Sequence, residues 1–200
     1  MWEPAVTRQV RQIMELPLNS HPAISAFSLA QVPQRDKQVE LEFDLRVENL
    51  SLANIARLNQ QLNSASRPPT PPEPEIESVQ CGLSGLLHGF MDLVVVFEGQ
   101  YFILDYKTNW LGPGTSAYHR EAMEQEMVRH NYHLQYAIYA VALKRFLEKS
   151  QLGFNYAANF GGVYYLFVRG MAQGDVSGIY YTKPPLTVLD ELDRALGGSQ

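Results

Sequence analysis

The chain reads FMDLVVVF from Phe90 to Phe97, turns at Glu98-Gly99 and continues as QYFILDYK from Gln100 to Lys107, and this segment determines the fold class. Two runs of β-branched and aromatic residues joined by two residues, the second a glycine, predict a β-hairpin. Apolar residues occupy both faces of this hairpin, so it is expected at the centre of a sheet that is covered on both sides. One face carries Leu93, Val95, Phe102 and Leu104, and the other carries Val94, Val96, Tyr101 and Ile103.

Pairing across the hairpin places three charged side chains together. If Glu98-Gly99 forms the turn, Asp92 lies directly across from Asp105. If the turn is shifted by one residue to Gly99-Gln100, Asp92 faces Lys107 instead. The parity of the strands is the same in both registers, so Asp92, Asp105 and Lys107 share one face in either case.

The opposed aspartates predict a cation site. Directly opposed side chains have Cβ atoms roughly 4.5 to 5.5 Å apart, and like charges at that distance are destabilising unless one is protonated or a cation lies between them. Carboxylate oxygens suit Mg²⁺, and Lys107 would lie near a substrate phosphate or the attacking water. Glu40 or Glu42, on an earlier strand, could add a third carboxylate. An ordinary salt bridge explains an Asp-x-Lys pair equally well, although burying two acids among apolar residues is costly without a function or a partner.

Periodicity predicts the remaining elements. Strict alternation from Asp36 to Val47 predicts a strand with Val39, Leu41, Phe43, Leu45 and Val47 on its buried face. Helices are expected from Val6 to Met14, from a Ser51 cap to about Ser64 with an apolar stripe of Leu52, Ile55, Leu58 and Leu62, over 118–130, over 133–149 and over 186–196. A proline-rich surface loop is expected over 65–77, a second loop over 109–116, and a further strand over 163–168. This order predicts an α/β fold in one domain spanning 1–200.

Composition excludes several classes of protein. With 46% hydrophobic and 18% charged residues the chain is globular rather than disordered. Its net charge of −5 argues against a general DNA-coating protein. The single cysteine, Cys81, excludes internal disulfides and cysteine-rich zinc sites. No apolar run approaches the ~20 residues that span a bilayer. We therefore expect an intracellular protein with no membrane partner.

Four ordered blocks, and a fifth near the start, carry a family signature. They are Gly89–Val94, Leu104–Gly112, Tyr132–Tyr136, Phe160–Gly170 and Arg35–Phe43. From Trp2 to about Tyr181 the chain resembles the RecB-type nuclease domains of the PD-(D/E)XK superfamily. The resemblance implies a restriction-endonuclease-like core, with a mixed central sheet and helices on both faces, and Mg²⁺-dependent cleavage of DNA, with Ca²⁺ as a non-catalytic substitute.

The resemblance also assigns roles to particular residues. It makes Asp92 and Asp105 the metal-binding acids and Lys107 the catalytic lysine. It adds Glu40 as an acidic residue of the same site, and Gln135 and Tyr139 as the family's Q-x-x-x-Y pair. A spacing of four places Gln135 and Tyr139 on one helix face. Packing in the core explains Tyr139 equally well.

Two family features have no match in this chain. A histidine on an upstream helix supplies a further metal ligand in the family, and the chain is expected to begin just after that helix. His21 is expected in a loop, and His88 could reach the site from the hairpin but is a poor substitute. The chain has no G-x-x-x-x-G-K-[ST] motif, so no ATP site is expected.

The resemblance implies a cellular role as well. The chain is expected to be an excised C-terminal nuclease domain of a larger bacterial cytoplasmic subunit that cuts single strands of unwound DNA during repair of double-strand breaks by recombination. Its expected partners are RecC, RecD and RecA. The alternative is a catalytically disabled fragment that serves as a protein-interaction module, docking on RecC and loading RecA.

Overall fold

The computed structural model describes residues 3–18, 25–65, 82–172 and 175–198. The helices are α1 (Glu3–Glu15), α2 (Leu52–Ala65), α3 (Arg120–Arg129), α4 (Tyr132–Ser150), α5 (Tyr156–Asn159) and α6 (Leu186–Ala195). The strands are β1 (Lys37–Ser51), β2 (Gly82–Phe97), β3 (Gln100–Lys107), β4 (Phe160–Phe167) and β5 (Ile179–Thr182). Among the described helices, none has the length and apolarity needed to cross a bilayer.

The strands form one five-stranded sheet in the order β1-β2-β3-β4-β5. The β2/β3 and β4/β5 pairs are antiparallel, whereas β3 and β4 are parallel. A parallel neighbour needs a crossover connection, and here α3, α4 and α5 lie between β3 and β4 in the chain. The prediction of a mixed sheet with helices is therefore confirmed.

The β2/β3 turn fixes the register of the hairpin. Glu98 and Gly99 have φ angles of 49° and 75°. Two successive positive φ angles identify the type I′ turn, whose twist matches that of the flanking strands. Phe97 pairs with Gln100. Of the two registers considered, the one with Glu98-Gly99 as the turn is therefore correct.

The chain divides into two compact units. The first contains Met1–Leu41, Met91–Gln125 and Ala157–Lys183, and the second contains Glu42–Phe90, Glu126–Tyr156 and Pro184–Gln200. β1 and β2 each contribute residues to both units. The single domain over 1–200 stays a prediction.

The core of the first unit lies on one face of the central strands. It joins residues of β2 and β3 to Tyr164 and Leu166 of β4, and the described residues of the segment from Leu16 to Val32 cover them. Within that segment the N–H of Leu18 donates to the carbonyl of Phe27 over 2.7 Å, and the Phe27 ring stacks on Phe97 at 4.6 Å. The other face of the hairpin is apolar as well, and its Val94 and Ile103 are buried. Both faces of the central hairpin are therefore buried at these positions, as predicted.

In the second unit, α2 and α4 pair with α6 through charged side chains. Arg57 of α2 bonds Glu191 over 3.2 Å, and Lys144 of α4 lies 3.5 Å from Asp190 and 3.6 Å from Asp193. The apolar stripe predicted for α2 is only partly buried. Leu58 and Leu62 are buried, Ile55 is half-buried and Leu52 is exposed. The predicted Ser51 cap is present, because its Oγ accepts the N–H of Asn54 over 3.4 Å.

The buried face predicted for β1 is wrong at Val39 but is found from Leu41 onward, where Leu41 and Phe43 are half-buried. Leu45 and Val47 are buried as expected, but Val39 is 56% exposed. Glu40 has a φ of 50°, a left-handed conformation that interrupts the alternation of an extended strand. Most of the proline-rich loop over 65–77 lies outside the described residues, and so does His21.

Candidate active site

Asp105 is the buried acid of the site. It lies near the end of β3, where it pairs with Tyr165 of the parallel strand β4, and it is only 3% exposed. Lys107 places its Nζ 2.6 Å from Asp105 Oδ1. The two side chains share one face because they are two residues apart on the strand. The predicted Asp-x-Lys pair is therefore a buried ion pair rather than a solvated one.

Asp92 faces Asp105 across the hairpin. Leu93 pairs with Leu104, so the next position along the ladder sets Asp92 opposite Asp105. Asp92 Oδ2 accepts the backbone N–H of Tyr106 over 2.9 Å. Since Tyr106 lies between Asp105 and Lys107, this hydrogen bond holds the half-buried Asp92 against the strand that carries both of them.

Burial raises the pKa of the Asp105 carboxyl above its usual range. The neighbouring Lys107 opposes this shift, and the charge of Asp92 adds to it. Asp105 is buried and lies beside a second carboxylate, so its ionised form is stabilised when positive charge is added to that of Lys107. Two such oxygen donors suit a hard divalent cation, so Asp92 and Asp105 fit the metal that the sequence implies.

The ammonium of Lys107 is held on two sides. Besides its 2.6 Å contact with Asp105, Nζ lies 4.9 Å from the ring centroid of Tyr165. A cation over an aromatic face is attracted by the ring quadrupole. The Lys107 side chain is only 12% exposed. The fold therefore presents one oriented positive charge beside the two carboxylates.

Glu40 lies in the same unit as Asp92, Asp105 and Lys107, but at an exposed position. Within the described residues its carboxylate makes no hydrogen bond or ion pair. Its left-handed backbone is unusual for an amino acid other than glycine, asparagine or aspartate. A side chain kept at a strained backbone position is a candidate for function.

Replacement of Glu40 by glycine distinguishes a role of its carboxylate in cleavage from the effect of its left-handed backbone on stability. We expect Glu40→Gly to keep or raise the melting temperature, because glycine removes the left-handed penalty, and to lower DNA cleavage about tenfold or more. Glu98→Gly is the matched control, since Glu98 has nearly the same φ, is also exposed and lies at the hairpin turn. Equal cleavage by the two variants, measured with labelled DNA, would remove Glu40 from the site.

Gln135 and Tyr139 lie on α4, in the second unit. The amide Nε2 of Gln135 donates to the hydroxyl of Tyr139 over 3.0 Å, so the two residues share a helix face as predicted. The Tyr139 ring also makes an edge contact with Phe43 at 5.7 Å between centroids. Tyr139 therefore both packs and bonds Gln135, and a role for the pair at the active site stays a prediction.

The partners of His88 were not predicted from the sequence. Nδ1 of His88 lies 2.9 Å from Asp44 and 3.8 Å from Glu42, and the three exposed side chains bring ligand atoms within 4.8 Å of one another. The alternation of β1 already placed Glu42 and Asp44 on one side, but the neighbouring strand could not be identified from the sequence. His88, Asp44 and Glu42 all belong to the second unit.

Comparison with known proteins gives a consistent match. The family model described as the PD-(D/E)XK nuclease superfamily matches residues 8–196. The chain is 39% identical to RecBCD enzyme subunit RecB of Escherichia coli (strain K12), covering 98% of this chain and 16% of that protein. For the same subunit of Buchnera aphidicola subsp. Acyrthosiphon pisum the identity is 33%, with coverage of 94% and 15%.

A third relative gives the same result. The RecBCD enzyme subunit RecB of Mycobacterium tuberculosis (strain ATCC 25618 / H37Rv) is 33% identical to the chain, which covers 20% of that protein. The chain therefore spans between 15% and 20% of the length of these three curated relatives.

Proposed function

Because the chain belongs to the PD-(D/E)XK nuclease superfamily, we propose that it is a metal-dependent DNA nuclease domain of the RecBCD type. The observation that carries this proposal is the grouping of Asp92, Asp105 and Lys107 on one face of the β2/β3 hairpin. Two opposed carboxylates and one oriented ammonium match the needs of phosphodiester hydrolysis, in which negative charge develops on the phosphate oxygens and a water molecule must be activated.

The carboxylates of Asp92 and Asp105 would hold Mg²⁺, and Ca²⁺ would bind there without supporting turnover. When bound, a divalent cation supplies Lewis-acid stabilisation of the scissile phosphate and makes water more acidic. The hydrogen bond from the Tyr106 N–H fixes Asp92, and burial between β2 and β4 fixes Asp105. The acids thus stay in place as substrate arrives, which lowers the cost of reorganisation.

Lys107 supplies the positive charge that meets the substrate. Its ammonium, held by Asp105 and by the Tyr165 ring, would neutralise the developing charge on the phosphate or orient the attacking water. Glu40 would add a further carboxylate. Gln135 and Tyr139 would contact DNA or orient the active site.

The relatives suggest the biological setting. Each is named as the RecB subunit of a RecBCD enzyme. We assign to the chain the corresponding place, which is a domain of a bacterial cytoplasmic complex with RecC and RecD that cuts single strands of unwound DNA during recombinational repair and contacts RecA. The acidic chain has a net charge of −5, so its DNA would be delivered by the rest of such a complex.

Metal removal tests the proposal. We expect the chain to cleave linear single-stranded DNA in Mg²⁺, to lose cleavage in EDTA and to regain it when Mg²⁺ is added back, because two carboxylates without a cation cannot stabilise a phosphate dianion-like transition state. Ca²⁺ should raise the melting temperature without supporting cleavage. Cleavage that persists in EDTA would contradict the metal-dependent mechanism. No cleavage in any divalent metal would instead favour the interaction module.

A further inference from the structure

Trp110 is the most exposed of the aromatic side chains that lie within three residues of the proposed catalytic residues, ahead of Phe90 and Tyr106. Its indole is 66% exposed, although tryptophan is usually buried over most of its surface. It follows Lys107 by three residues, and three extended residues span no more than about 11 Å. An exposed indole therefore lies within reach of any DNA strand that contacts the Lys107 ammonium.

The backbone on each side of Trp110 is held by one buried side chain. The hydroxyl of Tyr118, a residue only 1% exposed, donates to the carbonyl of Asn109 over 3.1 Å and accepts the N–H of Leu111 over 3.4 Å. Gly170 packs so closely on the Tyr118 ring that a methyl group there would overlap it. Tyr118 is thus fixed in the core, and its hydroxyl fixes the two residues that flank Trp110. The indole is exposed on a preorganised loop.

A cation lies beside the same loop. Nε of Arg169 donates to the carbonyl of Thr108 over 2.8 Å, and Arg169 is exposed. No carboxylate of the described residues forms an ion pair with this guanidinium. The remaining N–H groups of Arg169 can therefore meet a phosphate. Trp110, Arg169, Tyr118 and the Asp105–Lys107 pair all belong to the first unit.

We propose that Trp110 is a stacking platform for an unpaired base of the substrate strand, with Arg169 as a contact for the adjoining phosphate. The proposal rests on the nuclease function proposed above and names the residues that would hold its single-stranded substrate. An aromatic face beside a cation binds single strands without sequence preference, because every base offers a π-face. In a duplex the bases already stack on one another, so the platform discriminates in favour of single strands.

A purely structural role for Trp110 is disfavoured by the contacts around it. The hydrogen bonds that hold the loop come from Tyr118 and from backbone groups, not from the indole. We therefore expect Trp110→Leu to leave the melting temperature unchanged. The same variant should lose affinity for single strands by about 10- to 100-fold, the range given by loss of one base stack. Trp110→Phe should retain most of the affinity, because it keeps an aromatic ring.

Intrinsic fluorescence gives a direct test, because the chain has two tryptophans and Trp2→Phe leaves Trp110 as the sole reporter. We expect oligothymidylate, added in Ca²⁺ so that no strand is cut, to quench this fluorescence, and an equal concentration of blunt duplex to quench it far less. In Mg²⁺, Trp110→Leu should raise KM for single strands with little change in kcat. Phe146→Ala, which removes an exposed aromatic ring from α4, is the matched control. It should change neither the KM nor the kcat for single strands.

Tyr118→Phe tests the positioning of the loop. Loss of the hydroxyl should raise KM for single strands several-fold and lower the fluorescence anisotropy of Trp110, whereas a residue that only fills the core would not change the anisotropy. Absence of quenching, together with unchanged single-strand KM in Trp110→Leu, would overturn the platform and leave the indole as a contact for protein. Quenching without cleavage in Mg²⁺ would retain the platform and reject the nuclease. Cleavage without quenching would retain the nuclease and reject the platform.

Discussion

Asp105→Asn is expected to abolish DNA cleavage and, in the absence of metal, to make the protein more stable. The loss of cleavage should be on the order of 10³-fold or more, because removal of one of two ligands forfeits several kcal/mol of charge stabilisation in the transition state. The gain in stability is expected because burial raises the pKa of the Asp105 carboxyl and so disfavours its ionised form in the folded chain. An asparagine of the same shape carries no charge itself, and the Lys107 ammonium that remains keeps its contact with the Tyr165 ring.

The pH dependence has a definite sign. The pKa of Asp105 is higher in the folded chain than in the unfolded chain, so the folded state binds more protons in the interval between the two values. The stability of the metal-free wild type must therefore fall as pH rises through that interval and stay lowered above it. Asp105→Asn lacks this decline. Since a cation competes with the proton, apparent Mg²⁺ affinity of the wild type should weaken as pH falls through the same interval.

Thermal unfolding with and without metal measures both effects. In EDTA at neutral pH the variant should melt above the wild type, and Mg²⁺ or Ca²⁺ should raise the melting temperature of the wild type alone. Glu98→Gln is the matched control, since it also removes one negative charge from the hairpin but at the exposed turn. If the variant melted lower than the wild type in EDTA, or cut DNA at a comparable rate, Asp105 would not be a buried metal ligand.

The hairpin and its charged face could be predicted because they depend on local rules. The Glu98-Gly99 turn selects the register, and strand periodicity then decides that Asp92, Asp105 and Lys107 share a face. The choice between the two registers needed the backbone, where Glu98 adopts a left-handed φ that few residues other than glycine adopt. The sequence alone could not show how deeply Asp105 is buried, because that burial comes from the parallel strand β4, more than fifty residues away in the chain.

The errors and omissions arise where distant segments decide the outcome. The alternation of β1 predicted burial of Val39, but the left-handed residue Glu40 interrupts that alternation within the strand. Leu52 begins an apolar stripe, yet packing buries only the later members of it. The two hydrogen bonds of Tyr118 around Trp110 have no sequence signature, since a tyrosine in an apolar setting is usually a core residue. Each case depends on which surfaces meet, which periodicity does not encode.

Lys107→Met is expected to lower kcat by about 10²- to 10³-fold while leaving metal binding intact. The rate falls because the transition state loses the stabilisation that one preorganised positive charge provides. Metal binding should persist. Lys107 Nζ contacts Asp105 Oδ1 at 2.6 Å, so removal of the ammonium frees that oxygen to bind a cation. Asp105→Asn gives a different combination of results, because it should lose both DNA cleavage and metal binding.

The stability of Lys107→Met should change in the direction opposite to that of Asp105→Asn. Without the ammonium, Asp105 is left as a buried carboxylate beside Asp92, so the metal-free variant should melt below the wild type and regain its stability when Ca²⁺ is added. The double variant Asp105→Asn/Lys107→Met should melt above Lys107→Met alone, because it removes the unpaired charge, and the double-mutant cycle measures the coupling of the pair. If the two single variants shifted stability in the same direction and by independent amounts, the pair would not be coupled. The ammonium would then owe its position to Tyr165 rather than to Asp105.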